Sequence, residues 1–271
     1  MSLPSPESPV ATKVFPSPNH GERKRDAGEG GAAMPVPCDM LILHYTGMPD
    51  SGEALQWLCN PIARVSAHYF VFEDGRVLQL VPESRRAWHA GEAAWQKSAD
   101  INSRSIGIEI ANPGHDGGLP PFPEAQVEAV VALARDICTR WRIPPQNVLA
   151  HSDVAPLRKQ DPGELFPWAR LHEAGIGHLV APEPIIDGRY FAQGEQGQPI
   201  EALQAMFAMY GYALAIDGEF GPHTHAVVTA FQRHFRPGRV DGVADASTIT
   251  TLRNLIRARP GVPSCPAKPL P

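Results

Sequence analysis

The sequence predicts an α/β domain followed by a small all-α domain of three helices, and three observations carry that expectation. Short apolar runs of strand length stand at 40–43, 69–72, 77–81, 106–110 and 148–150. One long helical pattern, 124–141, is set among them. Beyond Pro182 the strand signals cease and three helical patterns follow. A length of 271 residues suits one medium and one small domain.

Composition narrows the function classes. The formal charge of −5, from 24 basic and 29 acidic residues, argues against a nucleic-acid binder, which needs a basic patch. Hydrophobic residues at 43% are enough for a sizeable core. Cys38, Cys59, Cys138 and Cys265 show no CxxC spacing and read as unpaired thiols of a reducing compartment. No apolar run approaches the length of a membrane helix, so no transmembrane segment is expected. Prolines and charges interrupt the N-terminal stretch where a signal peptide needs an apolar run. The expected location is therefore cytoplasmic, with a periplasmic or outer-membrane-associated one as the alternative.

Residues 1–35 read as an extended, mostly unpacked leader in which Arg23-Lys24-Arg25 precedes a glycine-rich run at 28–31. The main domain spans 36–180. Its first strand, Met40–Leu43, ends in His44. A short helix over Glu53–Leu58 is closed by Pro61. Two strands, 69–72 and 77–81, form a hairpin whose Asp74-Gly75 suits a two-residue type I′ turn. In 106–110 three isoleucines alternate with Gly107 and Glu109, so Glu109 points away from the isoleucine face. It is either a solvated carboxylate or one aimed into a cleft. In the helix Glu124–Trp141, Val127, Val130, Val131, Ala134, Ile137, Cys138 and Trp141 make one apolar stripe. Pro123 opens that helix and Pro144-Pro145 prevents its continuation. The strand Val148–Ala150 ends in His151, and a short helix through Leu171 precedes the exit at Gly175–Gly177.

Residues 181–199 read as a linker carrying a few contacts, 200–259 as the three-helix domain and 260–271 as a loose proline-rich tail. The second domain holds a weak internal repeat, in which Asp217-Gly218 precedes Thr224 as Asp241-Gly242 precedes Thr248. Each Asp-Gly makes a turn, and each threonine is expected near the N-cap of the next helix.

The chemistry centres on 151–168. His151 ends a strand and Asp161 lies on a proline-glycine turn ten residues later, so the two can converge. With His44 they make two imidazoles and a carboxylate, a donor set that suits catalytic zinc with a fourth position left for water. Glu109 is a candidate general base and Lys159 a candidate stabiliser of an oxyanion. The competing reading is of scattered structural polar residues.

The segments 43–48 (LHYTGM), 65–75 (VSAHYFVFEDG), 86–91 (RAWHAG), 102–110 (NSRSIGIEI) and 151–163 (HSDVAPLRKQDPG) occur in an order that resembles the type-2 N-acetylmuramoyl-L-alanine amidase family. The resemblance covers roughly residues 35–178. It implies a central mixed β-sheet flanked by helices and a zinc hydrolase with one Zn2+ per chain. It places His44, His151 and Asp161 on the zinc ligands, Glu109 on the catalytic glutamate and Lys159 on the lysine that steadies the transition state. The implied substrate is peptidoglycan or anhydro-muropeptides, cut between N-acetylmuramic acid and L-alanine. Trp88, His89, Arg104 and Asn112 are expected to line the cleft, and His68 to be structural. Residues 216–232 (IDGEFGPHTHAVVTAFQ) resemble a three-helix peptidoglycan-binding module.

Two other readings fit the sequence less well. A non-catalytic peptidoglycan-recognition protein would lack part of the ligand set, which here is complete. A zinc DD-carboxypeptidase would need SxHxxGxAxD at Ser66, but Val71, Glu73 and Gly75 hold its Gly, Ala and Asp positions. A serine acyl-enzyme is disfavoured because neither SxxK nor GxSxG occurs.

Overall fold

The computed structural model describes residues 5–27, 33–35, 37–186 and 188–259. The glycine-rich run, Cys265 and the proline-rich tail lie outside them. In chain order the elements are β1 (Lys13–Val14), β2 (His20–Glu22), β3 (Arg25–Ala27), β4 (Ala33–Pro35), β5 (Met40–Tyr45), α1 (Ser51–Leu58), β6 (Tyr69–Val71), β7 (Val77–Gln79), β8 (Arg85–Ala87), α2 (Ile101–Arg104) and β9 (Ser105–Ile110). Then follow α3 (Glu124–Trp141), β10 (Val148–Ala150), α4 (His151–Val154), α5 (Trp168–Glu173), α6 (Gln198–Tyr210), α7 (Pro222–Phe235) and α8 (Ala246–Ala258).

The expected mixed sheet is present, in the order β1-β7-β6-β9-β5-β10, antiparallel only between β6 and β7. The period of two divides its side chains between two faces. Leu41, Leu43, Ile106, Ile108, Ile110, Val148 and Ala150 pack on one face against Val130, Leu133, Ala134 and Ile137 of α3. Leu133, absent from the predicted stripe, is fully buried, whereas Val131, Cys138 and Trp141 sit at its margin.

Met40, Ile42 and Leu149 turn to the opposite face and share a core with Phe207, Tyr210 and Phe231 of the helical module. The second domain therefore covers one face of the sheet rather than hanging from a linker. Burying a side chain of that size stabilises by about 1.5–3 kcal/mol. The linker also packs: Glu183 N–H donates to Thr251 Oγ1 at 3.0 Å, and Phe191 bridges to Ala244.

Over its described residues the leader is extended but not unpacked. β1 pairs with β7 and β2 with β8, and Ser17 and Asn19 are buried. Arg23 drives its guanidinium against the carbonyls of Glu83, Ser103 and Ser105, at 2.8, 2.9 and 3.0 Å. Two of those carbonyls lie at the C-terminal end of α2, where helical oxygens lack intrahelical donors. The hairpin also departs from expectation. Gly75 N–H donates to the Phe72 carbonyl at 3.0 Å, and Gly75, not Asp74, has positive φ. The turn is thus closed by a glycine bulge instead of the two-residue type I′ form.

The internal repeat has a structural cause. Gln204 Oε1 accepts the amides of Asp217 and Gly218, while its Nε2 donates to Asp217 Oδ1, the Glu219 carbonyl and Thr224 Oγ1. Gln232 repeats the pattern with Asp241, Gly242, Val243 and Thr248. Each threonine lies near the N-cap as expected, in the first turn of its helix, where it meets the glutamine; the caps themselves are Gly221 and Asp245.

Candidate active site

Strand register brings the site together. His44 of β5 pairs with Glu109 of β9, so their side chains stand side by side on one face. Leu43 pairs with Ala150, which places the next residue, His151, beside His44 at the carboxyl ends of parallel strands. His151 does not simply end its strand: it opens α4, a single helical turn. Ser152 N–H donates to the Asp161 carbonyl at 3.1 Å and returns the following loop to His151.

The three side chains are buried and converge. His44 Nδ1 lies 2.9 Å from His151 Nδ1 and 3.0 Å from Asp161 Oδ2; His151 Nδ1 lies 2.9 Å from the same oxygen. The surrounding hydrogen bonds determine where the imidazole protons reside. His151 Nε2 faces the Ala90 carbonyl at 3.0 Å, and a carbonyl only accepts, so that nitrogen carries the hydrogen. Ser105 Oγ donates to the Ile101 carbonyl at 2.7 Å and so accepts from His89 Nε2 at 3.1 Å. His89 Nδ1 is then an acceptor and takes the hydrogen of His44 Nε2 at 3.0 Å. Both inner Nδ1 atoms are left as lone pairs beside a carboxylate oxygen.

Burial, with His151 adding to it, lowers the His44 pKa from 6.5 to about 4, which keeps the ring neutral. Burial likewise holds His89 well below its ordinary value, with His44 next in effect. Three acceptor atoms within hydrogen-bond distance and no proton among them repel one another unless a cation lies between. The donor set therefore fits a metal ion.

The same residues border a cleft of about 390 Å3, which Glu109, Lys159 and Trp88 also line. Glu109 is half-buried, and its Oε2 is buried without a hydrogen-bond partner. Burial, reinforced by Asp161 and opposed by Lys159, raises its pKa well above the ordinary carboxylate value. Of its two sequence readings, the carboxylate in a cleft is the one observed.

Other predicted residues divide. Trp88 lines the cleft, and His89 both borders it and fixes His44 from outside. Arg104 does not belong to it: its guanidinium pairs with Asp39, Nε donating to Oδ1 at 3.0 Å. Asn112 is buried in a loop, donating to the Pro120 carbonyl and accepting from Gly114 N–H. Both flank the glutamate strand in sequence, but ion pairing and loop closure account for them. His68 is structural as expected, accepting from Gly107 N–H at 3.0 Å. His115 meets Glu164 and Tyr45, and buried His234 meets Asp153.

Sequence reasoning missed Trp57, Tyr45, Arg158 and Gln160 on the cleft, and Ser105 and Asp153 behind it. Gly107 carried a signal, because an isolated glycine in a strand marks a close approach.

Fold and site together define a class: an α/β protein with a three-donor candidate metal centre open to a cleft that also holds a carboxylate and a lysine. Residues 34–164 match the N-acetylmuramoyl-L-alanine amidase family, and residues 196–252 a peptidoglycan binding domain. The chain is 40% identical over 224 residues to the N-acetylmuramoyl-L-alanine amidase AmiD of Escherichia coli K12, covering 77% of this chain and 79% of that one. It is also 40% identical over 179 residues to the 1,6-anhydro-N-acetylmuramyl-L-alanine amidase AmpD of the same strain, covering 60% and 91%. Among solved structures, the complex of E. coli AmiD with anhydro-N-acetylmuramic acid-L-Ala-D-gamma-Glu-L-Lys superposes with a TM-score of 0.70 at 36% identity, covering 88% of this chain and 97% of that one. AmpDh3 of Pseudomonas aeruginosa does so at 0.68 and 30%, covering 85% and 96%. The chain belongs to the N-acetylmuramoyl-L-alanine amidase family and carries a peptidoglycan-binding domain. No helix among the described residues is long and apolar enough to cross a membrane.

Proposed function

We propose that the protein hydrolyses the amide between the lactyl group of N-acetylmuramic or anhydro-N-acetylmuramic acid and the L-alanine of the stem peptide, using one zinc ion per chain. The observation that carries this reading is the triangle of His44 Nδ1, His151 Nδ1 and Asp161 Oδ2, with sides of 2.9–3.0 Å and both imidazole hydrogens committed outwards. Two imidazoles and one carboxylate suit zinc and leave a fourth position open. When bound there, zinc supplies Lewis acidity that activates a water and polarises the scissile carbonyl.

Glu109 takes a proton from the attacking water and gives it to the amine nitrogen as the C–N bond breaks. Its raised pKa serves the second half of that cycle, because the carboxyl must hold the proton long enough to deliver it. Lys159 borders the same cleft and stabilises the negative charge that develops on the carbonyl oxygen. Trp57 and Trp88 line the cleft and offer ring faces to the sugar. The complexes of AmiD and AmpDh3 with anhydromuramic peptides support this substrate class. A purely recognising role is less well supported, since it gives no use to Glu109 and Lys159 beside a complete donor set.

The test is to incubate the protein with soluble anhydro-muropeptide and with intact sacculi and to assay stem peptides that begin with L-alanine. Their release supports the reading, and the preferred substrate assigns the binding domain to polymer or to fragments. Sugar and peptide still joined in both cases would sink it.

A further inference from the structure

The helical module grips the segment that carries His151 and Asp161 from both sides. Asp153, two residues beyond His151, is fully buried. Its Oδ2 accepts the Ala150 amide at 2.8 Å, which ties the turn on which His151 sits. The remaining partners come from the module: the Tyr212 hydroxyl donates to Oδ1 at 2.6 Å, and His234 Nδ1 lies 2.7 Å from Oδ2. The His234 ring is itself clamped, stacked on Trp168 at 3.6 Å between centroids and on Phe235 at 3.8 Å. On the other side, Arg233 Nη2 donates to Gln160 Oε1 at 3.0 Å, and its Nε lies 3.3 Å from Glu164 Oε2. Those two residues bracket Asp161.

We propose that Tyr212, Arg233 and His234 are positioning residues for the metal ligands, so that the peptidoglycan-binding module and the hydrolytic site are one mechanical unit. The inference rests on the assignment of His44, His151 and Asp161 as ligands. A buried carboxylate needs its acceptor sites filled. Without Tyr212 and His234, Asp153 keeps only the Ala150 amide. It then draws in water or shifts, and the turn bearing His151 moves with it. The module thereby acts on the centre through Asp153, Gln160 and Glu164 without touching substrate at the cleft. A ligand that shifts the C-terminal turn of α7, which carries Arg233 and His234, is coupled to hydrolysis by the same path.

The test uses the full chain with Tyr212→Phe, His234→Leu, His234→Asn and Arg233→Ala, and Gln204→Ala as a variant that loosens the module away from the ligand segment. Zinc retention is read by competition with a chromophoric chelator. Hydrogen exchange of residues 151–164 is read in the zinc-free protein, and kcat and KM on soluble anhydro-muropeptide. Tyr212→Phe removes one oxygen and His234→Leu one ring, and each should weaken zinc retention about tenfold. Exchange at 151–164 should accelerate, and kcat should fall while KM stays within about twofold. His234→Asn keeps a donor on the atom bonded to Cγ and should restore most of the loss. Gln204→Ala should lower Tm and leave zinc retention unchanged. Variants that hold zinc as tightly as the wild type, or lose it only as Gln204→Ala does at equal Tm, would overturn the proposal. A wild-type chain that binds no zinc would instead overturn the ligand assignment beneath it.

Discussion

The imidazole of His89 occupies the space that a side chain on Gly107 would fill: a Cβ there would lie 2.6 Å from His89 Cγ. Through this contact the middle of β9 holds the ring that takes the hydrogen of His44 Nε2. Gly107→Ala should push His89 aside. Overpacking of this kind costs about 1–3 kcal/mol. Chemical denaturation should show that loss, and chelator competition should show weaker metal binding. Unchanged metal binding would mean that His89 does not orient His44.

Glu109 is expected to matter for turnover and not for metal binding. Glu109→Gln should keep the metal and lose about 10²–10⁴-fold in kcat, the range for general acid–base groups. The variant also tests the carboxyl's raised pKa in metal-free protein. A carboxyl with a raised folded pKa binds more protons folded than unfolded. Stability is therefore greatest below the unfolded value of 4.5 and is lost as pH rises through the window up to the folded value. Glu109→Gln should flatten that decline in denaturation midpoints measured across pH. An unaltered slope would assign the decline to other groups.

His44 predicts the opposite slope. Its folded pKa of about 4 lies below the unfolded 6.5, so the unfolded chain takes up a proton that the folded one refuses. Metal-free protein should lose stability as pH falls from 6.5 towards 4, and His44→Asn should reduce that loss. In the loaded protein, protons should displace the metal only well below pH 6.5.

The shared core is expected to make the two domains one folding unit. Trp95 of the first domain is fully buried with its ring edge-on to Tyr210 and Tyr212 of the second. Trp95→Ala should cost about 3–5 kcal/mol. Unfolding should remain a single transition by calorimetry, and a chain ending at Val180 should precipitate. Two separate transitions would contradict the shared core.

Much of the site was legible in the sequence because periodic segments carry it. β5, β9 and β10 announced themselves as apolar runs, so His44, Glu109 and His151 could be placed at strand ends or on a defined face. Asp161 and Lys159 lie in a loop, whose path has no period; the Asp161-Pro162-Gly163 turn made them candidates, and the resemblance gave them roles. Asp153 was not legible: its module partners Tyr212 and His234 lie 59 and 81 residues away in sequence. Gln204 and Gln232 look like surface residues in a hydropathy pattern, yet each is buried with its amide group engaged. The role of Arg23 is illegible for a related reason. A guanidinium that caps backbone carbonyls has the same sequence signature as one in water.

The most direct measurement is metal content against amide cleavage in one preparation, as isolated, after chelation and after zinc is restored. One zinc per chain is expected, with cleavage that disappears with the metal and returns with it, and neither in His44→Ala or Asp161→Ala. Cleavage that survives complete removal of metal, or a fully loaded protein that leaves muropeptides intact, would contradict it.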